Sequence, residues 1–146
     1  MAIKTYRGLM AHGTQEVIAL HTIDGSTGYR IVKLDTIDQD PGTNSTENVL
    51  KVYKVEQTTV NGTVDFSDQT LIGVAYFENN TSTTYGSWKQ IIFDNDVFNQ
   101  DIYITSNDNS GSALAMNYLI ELEQVKLDLN ENTVATLKDI RNTSSQ

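Results

Sequence analysis

The side chains of this 146-residue sequence that could do chemistry are two histidines, a few carboxylate pairs and one aromatic cluster. His12 and His21 are separated by a turn region and a strand, without the His-Glu-x-x-His spacing that sets two imidazoles on one zinc ion. His21 has apolar neighbours and reads as a packed or edge histidine. The chain contains no cysteine, which removes disulfides, thiolate zinc sites, iron–sulfur clusters and thiol nucleophiles together. No glycine cluster stands between a strand and a helix with the lysine or spacing of a phosphate loop or dinucleotide fingerprint. No cofactor is expected.

Glu121 and Glu123 share one face of a strand, the way some glycosidases present an acid beside a base or nucleophile. A half-exposed strand shows the same alternation, and acid–base work calls for carboxylates facing each other across a cleft. The reading is therefore not an enzyme. Asp94-Asn95-Asp96 with Asp101, and Asp38 with Asp40, could offer oxygens to Ca²⁺, but Phe98 and Asn99 stand where a calcium loop needs a ligand and then glycine. Solvated turn carboxylates are the default, and no metal is expected. Tyr85 and Trp88, flanked by Thr81 to Thr84 and Gly86, have two readings: an exposed platform that stacks on a sugar or a protein, or a Trp88 that caps one end of the core. Tyr85, Trp88, Asp94 and Asp96 make up the candidate interaction surface.

These residues must be held by short strands, because Val/Ile/Leu/Tyr runs alternate with segments crowded with Thr, Asn, Asp, Ser and Gly, and proline occurs once. Glu16–Ile23 and Tyr29–Asp35 read as strands close enough to form a hairpin. Asp38 to Thr46 is a polar surface loop around Pro41. Glu47–Glu56 carries Val49, Tyr53 and Val55 on one face and Leu50 and Val52 on the other, which predicts partial burial of both. Val60-Asn61-Gly62-Thr63 marks a turn, and Thr70–Glu78, Lys89–Phe93 and Asp101–Thr105 are further strands. In the last strand Met116, Tyr118, Ile120 and Leu122 share one face, after which the apolar parity slips to Val125, Leu127 and Leu129. The slip predicts a bulge or bend near Glu123 and Gln124. Val134, Leu137 and Ile140 at three-residue spacing predict a short helix over 130–141, followed by a tail over 142–146. The sum is a single all-β domain spanning 1–146, a jelly-roll-like β-sandwich with a short C-terminal helix.

Ten Lys and Arg against nineteen Asp and Glu give a net charge of −9. Such a chain lacks the clustered cations that bind phosphate backbones, so nucleic acid is not an expected partner. The first residues lack the basic-then-apolar pattern of a signal peptide and no apolar run is long enough to span a bilayer, so the expectation is a soluble protein, without membrane contact, made in a cytoplasm.

Several stretches resemble the short virion structural proteins of marine tailed bacteriophages, of the kind that infect cyanobacteria. The resemblance is carried by Ile3–Leu9 with Glu16–His21, by Phe93–Thr105, and by Asn117–Asp128 followed by Thr133–Asn142. It implies a place in the virion after synthesis in the host cytoplasm, and no catalytic motif. The function it implies first is a capsid decoration or cement protein that binds the assembled lattice of the major capsid protein, as a homo-oligomer. A neck, tail or baseplate connector contacting other virion proteins is the alternative, and a host-glycan-binding module using Tyr85 and Trp88 is a third.

Overall fold

The computed structural model describes residues 2–22, 25–42, 44–79, 87–93 and 96–128. They form eight strands: β1 (Ile3–Met10), β2 (Gln15–Ile18), β3 (Thr27–Asp38), β4 (Thr46–Tyr53), β5 (Leu71–Asn79), β6 (Ser87–Ile92), β7 (Ile102–Asp108) and β8 (Met116–Lys126). The predicted helix over 130–141 and the tail over 142–146 lie outside the described residues.

All pairings are antiparallel and divide the strands into two sheets, a small one ordered β1-β8-β3 and a large one ordered β2-β7-β4-β5-β6. The fold is all-β and sandwich-like, because one apolar cluster draws on both sheets. Ile31, Leu34, Met116, Ile120 and Leu122 from the small sheet meet Leu50, Val52, Ile72, Ile102 and Ile104 from the large one, all essentially closed to solvent. Each such side chain contributes about 1.5–3 kcal/mol on leaving water. Gly73 makes room for this contact, since a Cβ there would lie 3.1 Å from Leu34 Cδ2.

The expected two-faced burial of β4 is present. Leu50 and Val52 point into the central core, while Val49 and Tyr53 join Leu71 and Val74 in a second cluster on the outer side of the large sheet. The chain between β4 and β5 folds over that outer side. Lys51 Nζ donates to Thr63 O at 2.6 Å and to Asn61 Oδ1 at 3.2 Å, and Phe66 meets Phe93 edge-on at 5.4 Å. Burial pulls the Lys51 pKa below its ordinary value, with Asp68 opposing the shift.

Three expectations are corrected. Glu16–Ile23 and Tyr29–Asp35 do not form a hairpin: β2 pairs with β7 in the large sheet and β3 with β8 in the small one. The earlier strand also stops at Ile18, because the next amides are taken by a side chain: Leu20 N and His21 N both donate to Asp101 Oδ1, at 2.8 and 3.0 Å. The irregularity expected at Glu123 and Gln124 lies instead on the partner strand, where the β3–β8 register skips Val32 between Ile31↔Leu122 and Lys33↔Glu121. The extra residue reverses the facing of β3, from Tyr29 and Ile31 to Leu34 and Thr36, and leaves β8 regular through Glu123 and Gln124 to Lys126.

Candidate functional site

Most of the carboxylates singled out in the sequence are engaged in holding loops and strands. Asp101 accepts the two amides that end β2 and also His21 Nδ1, at 2.6 Å. His21 is therefore not a packed strand residue: its side chain is 61% exposed beyond the end of β2, oriented by Asp101. Partial burial would raise the Asp101 pKa, yet the hydrogen bonds from His21 and Leu20 outweigh it and hold the carboxyl below its usual range. His12 lies far from this pair in the β1–β2 turn, where its Nδ1 accepts the main-chain N–H of Asp108 at 2.9 Å.

Asp38 and Asp40 do not converge. Asp38 ends β3 with its carboxylate buried, accepting Thr46 Oγ1 and Asn48 Nδ2, whereas Asp40 is exposed in the following turn. The loop is polar as expected, but both of its ends, Asp38 and Thr46, are buried because this carboxylate ties them together. Asp96 pairs with the buried Lys54 at 3.1 Å, while Asp94 and Asn95 lie outside the described residues. Among the described residues no three His, Cys, Asp or Glu side chains gather as a metal site would require.

Glu121 and Glu123 do share the outer face of β8, but no cleft separates them. Glu123 receives Arg30 Nε at 2.7 Å and Nη2 at 2.6 Å and is largely buried, so its charge is committed to a neighbouring strand. Glu121 sits in a cross-strand row between Thr5 and Lys33.

Asp108 was not among the residues singled out in the sequence. At the end of β7 its Oδ1 accepts Glu47 N at 3.0 Å, Ser110 N at 3.0 Å and Ser110 Oγ at 2.7 Å, and its Oδ2 accepts Leu114 N at 3.3 Å. Burial opposes ionisation, but these bonds prevail and lower its pKa. The Asp-x-Ser spacing of the turn is the one local signal that could have found it, since an Asp side chain commonly bonds the amide two residues on.

Beside these engaged carboxylates stands an exposed apolar group. Trp88 is 71% exposed, which overturns its reading as a cap on the core; Tyr85 lies outside the described residues. Trp88 pairs with Phe77 on β6, the last strand of the large sheet among the described residues. The small sheet has two strands fewer, and Trp88 sits where its cover runs out. Beside Trp88 opens a cleft of about 450 Å³, lined by Thr36, Ile37, Tyr118 and Leu119 of the small sheet and by Phe77 and Trp88 of the large one. Asp35 and Asn117 complete its rim, and its walls are mainly hydrocarbon.

No protein-family model matches the chain, and no curated protein matches it.

Proposed function

We propose that this chain is a structural protein of a tailed-phage virion, most simply a decoration protein that docks on the assembled lattice of the major capsid protein and stabilises it. The observation that carries the reading is strand order. The series β1-β8-β3 in one sheet and β2-β7-β4-β5 in the other is that of an eight-strand jelly roll, with β6 continuing the large sheet instead of completing the small one. The chain after β6 still reaches the small sheet, since Phe98 exchanges both main-chain hydrogen bonds with Tyr29, at 2.8 and 2.9 Å. Jelly rolls recur in viral capsid and lectin domains, a likeness of fold to analogous shells. The resemblance of Ile3–Leu9, Phe93–Thr105 and Asn117–Asp128 to phage virion proteins points the same way.

The cleft at Trp88 favours a protein surface over a sugar. A saccharide buried there would lose hydroxyl hydrogen bonds that hydrocarbon walls cannot replace, whereas an apolar side chain loses none. Binding only to the assembled lattice adds its free energy to that state, which is how such a subunit would stabilise a shell.

Quantitative mass spectrometry and cryo-electron microscopy of purified particles test the proposal. A copy number in the hundreds with density on the shell is expected. A handful of copies confined to the neck or tail would replace decoration by the connector role, and absence from particles would overturn the virion reading.

A further inference from the structure

Among the described residues the small sheet has two largely unpaired edges of similar length. Among the described residues β1 pairs only with β8, and β3 meets a second neighbour only at the Tyr29–Phe98 bridge, leaving its edge open from Ile31 to Ile37. An open edge offers a row of main-chain N–H and C=O groups that another strand can pair. Both strands run antiparallel to β8, so they run in the same direction as each other. A second copy placed beside the first, turned about an axis along the strands, therefore brings its β1 parallel to the first copy's β3.

The rows across the sheet say what such a neighbour would meet. Arg7, Leu119 and Asp35 form one row, Leu9, Asn117 and Ile37 the next, and Thr5, Glu121 and Lys33 the one before. Within one molecule Arg7 and Asp35 stand two strands apart, roughly 10 Å, and neither has an ion-pair partner among the described residues. Continuing the rows into a second copy sets its Arg7 one strand spacing, about 4.8 Å, from Asp35. Its Leu9, 47% exposed, comes beside Ile37, also 47% exposed, at the cleft that holds Trp88. A two-fold seam of β1 against β1 would instead collect two copies of Lys4 and Arg7, for β1 contains no carboxylate. The charges favour the head-to-tail arrangement over that seam.

We infer that this chain assembles with itself through β1 of one copy and β3 of the next, with Arg7 against Asp35 and Leu9 covering the cleft at Trp88. Head-to-tail contacts either close into rings or run on as filaments. The two sheets decide between these. The large sheet is two strands wider, about 10 Å, across a layer spacing of about 10 Å, so adjoining copies must turn by about one radian to keep their large sheets apart. That turn closes a ring at no more than about six copies.

Native mass spectrometry and analytical ultracentrifugation of the full chain test this. A closed oligomer of at most about six copies is expected, and the emission of Trp88, the sole tryptophan, should shift to the blue as it forms. Arg7→Asp and Asp35→Arg should each weaken assembly at least about tenfold, and their combination should restore it. Circular dichroism checks that all three variants keep the strand signal. A monomer at every soluble concentration, an open-ended polymer, or an oligomer indifferent to both single substitutions would overturn the inference. It stands on the sheet edges alone: a ring that is absent from virions would refute the virion reading and leave this one intact.

Discussion

Replacing Asp108 by Asn removes a charge from four hydrogen bonds without changing the side chain's size. In the wild type the carboxylate joins the start of β4, through Glu47 N, to the turn between β7 and β8, through Ser110 and Leu114. Asparagine keeps one carbonyl acceptor for the three donors on Oδ1 but turns an NH₂ toward Leu114 N, so one bond is lost and the others become neutral. A hydrogen bond to a charged group contributes about 1.5–3 kcal/mol and a neutral one about 0.5–1.5, and shared acceptors do not sum, which places the loss near 2–3 kcal/mol. Urea unfolding followed by circular dichroism should show a lower midpoint with an unchanged slope. The pH dependence carries the stronger test. Because the folded pKa of Asp108 is depressed, its stabilisation is fully present above the unfolded value of about 3.9 and is lost as pH falls through the folded value. The gap between wild type and Asp108→Asn should thus be widest near neutrality and narrow in acid. Equal midpoints near neutrality, or a gap that acid leaves unchanged, would refute the reasoning.

Ile120→Ala should lower stability by about 2–5 kcal/mol in urea, since its side chain is closed to solvent between the two sheets. Arg30→Ala leaves Glu123 largely buried without its cation and should cost about 1–2 kcal/mol, reduced from a fully buried pair because Arg30 is itself part-exposed; Glu123→Gln in the same background should recover part of the loss. Tyr118 is held protonated by burial and by its 3.0 Å bond to Glu16, its pKa pushed up to about 12, as is that of Tyr53 by burial and by Asp68 and Asp65. Ultraviolet titration should therefore show two phenols ionising after the rest, and Tyr118→Phe should remove one of them.

Local pattern was legible where one residue's environment is fixed by its own strand. The inward row Met116, Tyr118, Ile120 and Leu122 and the two apolar faces of β4 followed from period-two alternation, because each of these strands lies inside its sheet. Pairing was not legible in the same way. Eight residues between β2 and β3 permit a hairpin, but a side chain elsewhere in the chain, Asp101, takes the amides that would have prolonged the first of them. Trp88 failed for a related reason: whether an inward-facing residue is covered depends on how many strands the opposite sheet has, a property of the whole topology. The apolar parity slip in β8 needs no bulge: its register with β3 runs unbroken from Leu122 to Lys126, so Val125 lies on the face opposite Leu122, a second apolar face that alternation alone reads as an irregularity.

The start of β1 lies beside the end of β8, where Gln124 N donates to Ala2 O at 2.8 Å. That pairing joins strands more than a hundred residues apart, whereas β4, β5 and β6 follow one another along the chain. Closing the small sheet therefore costs the larger loop entropy, and its amides should gain protection after those of β4 and β5 in pulsed hydrogen exchange during refolding.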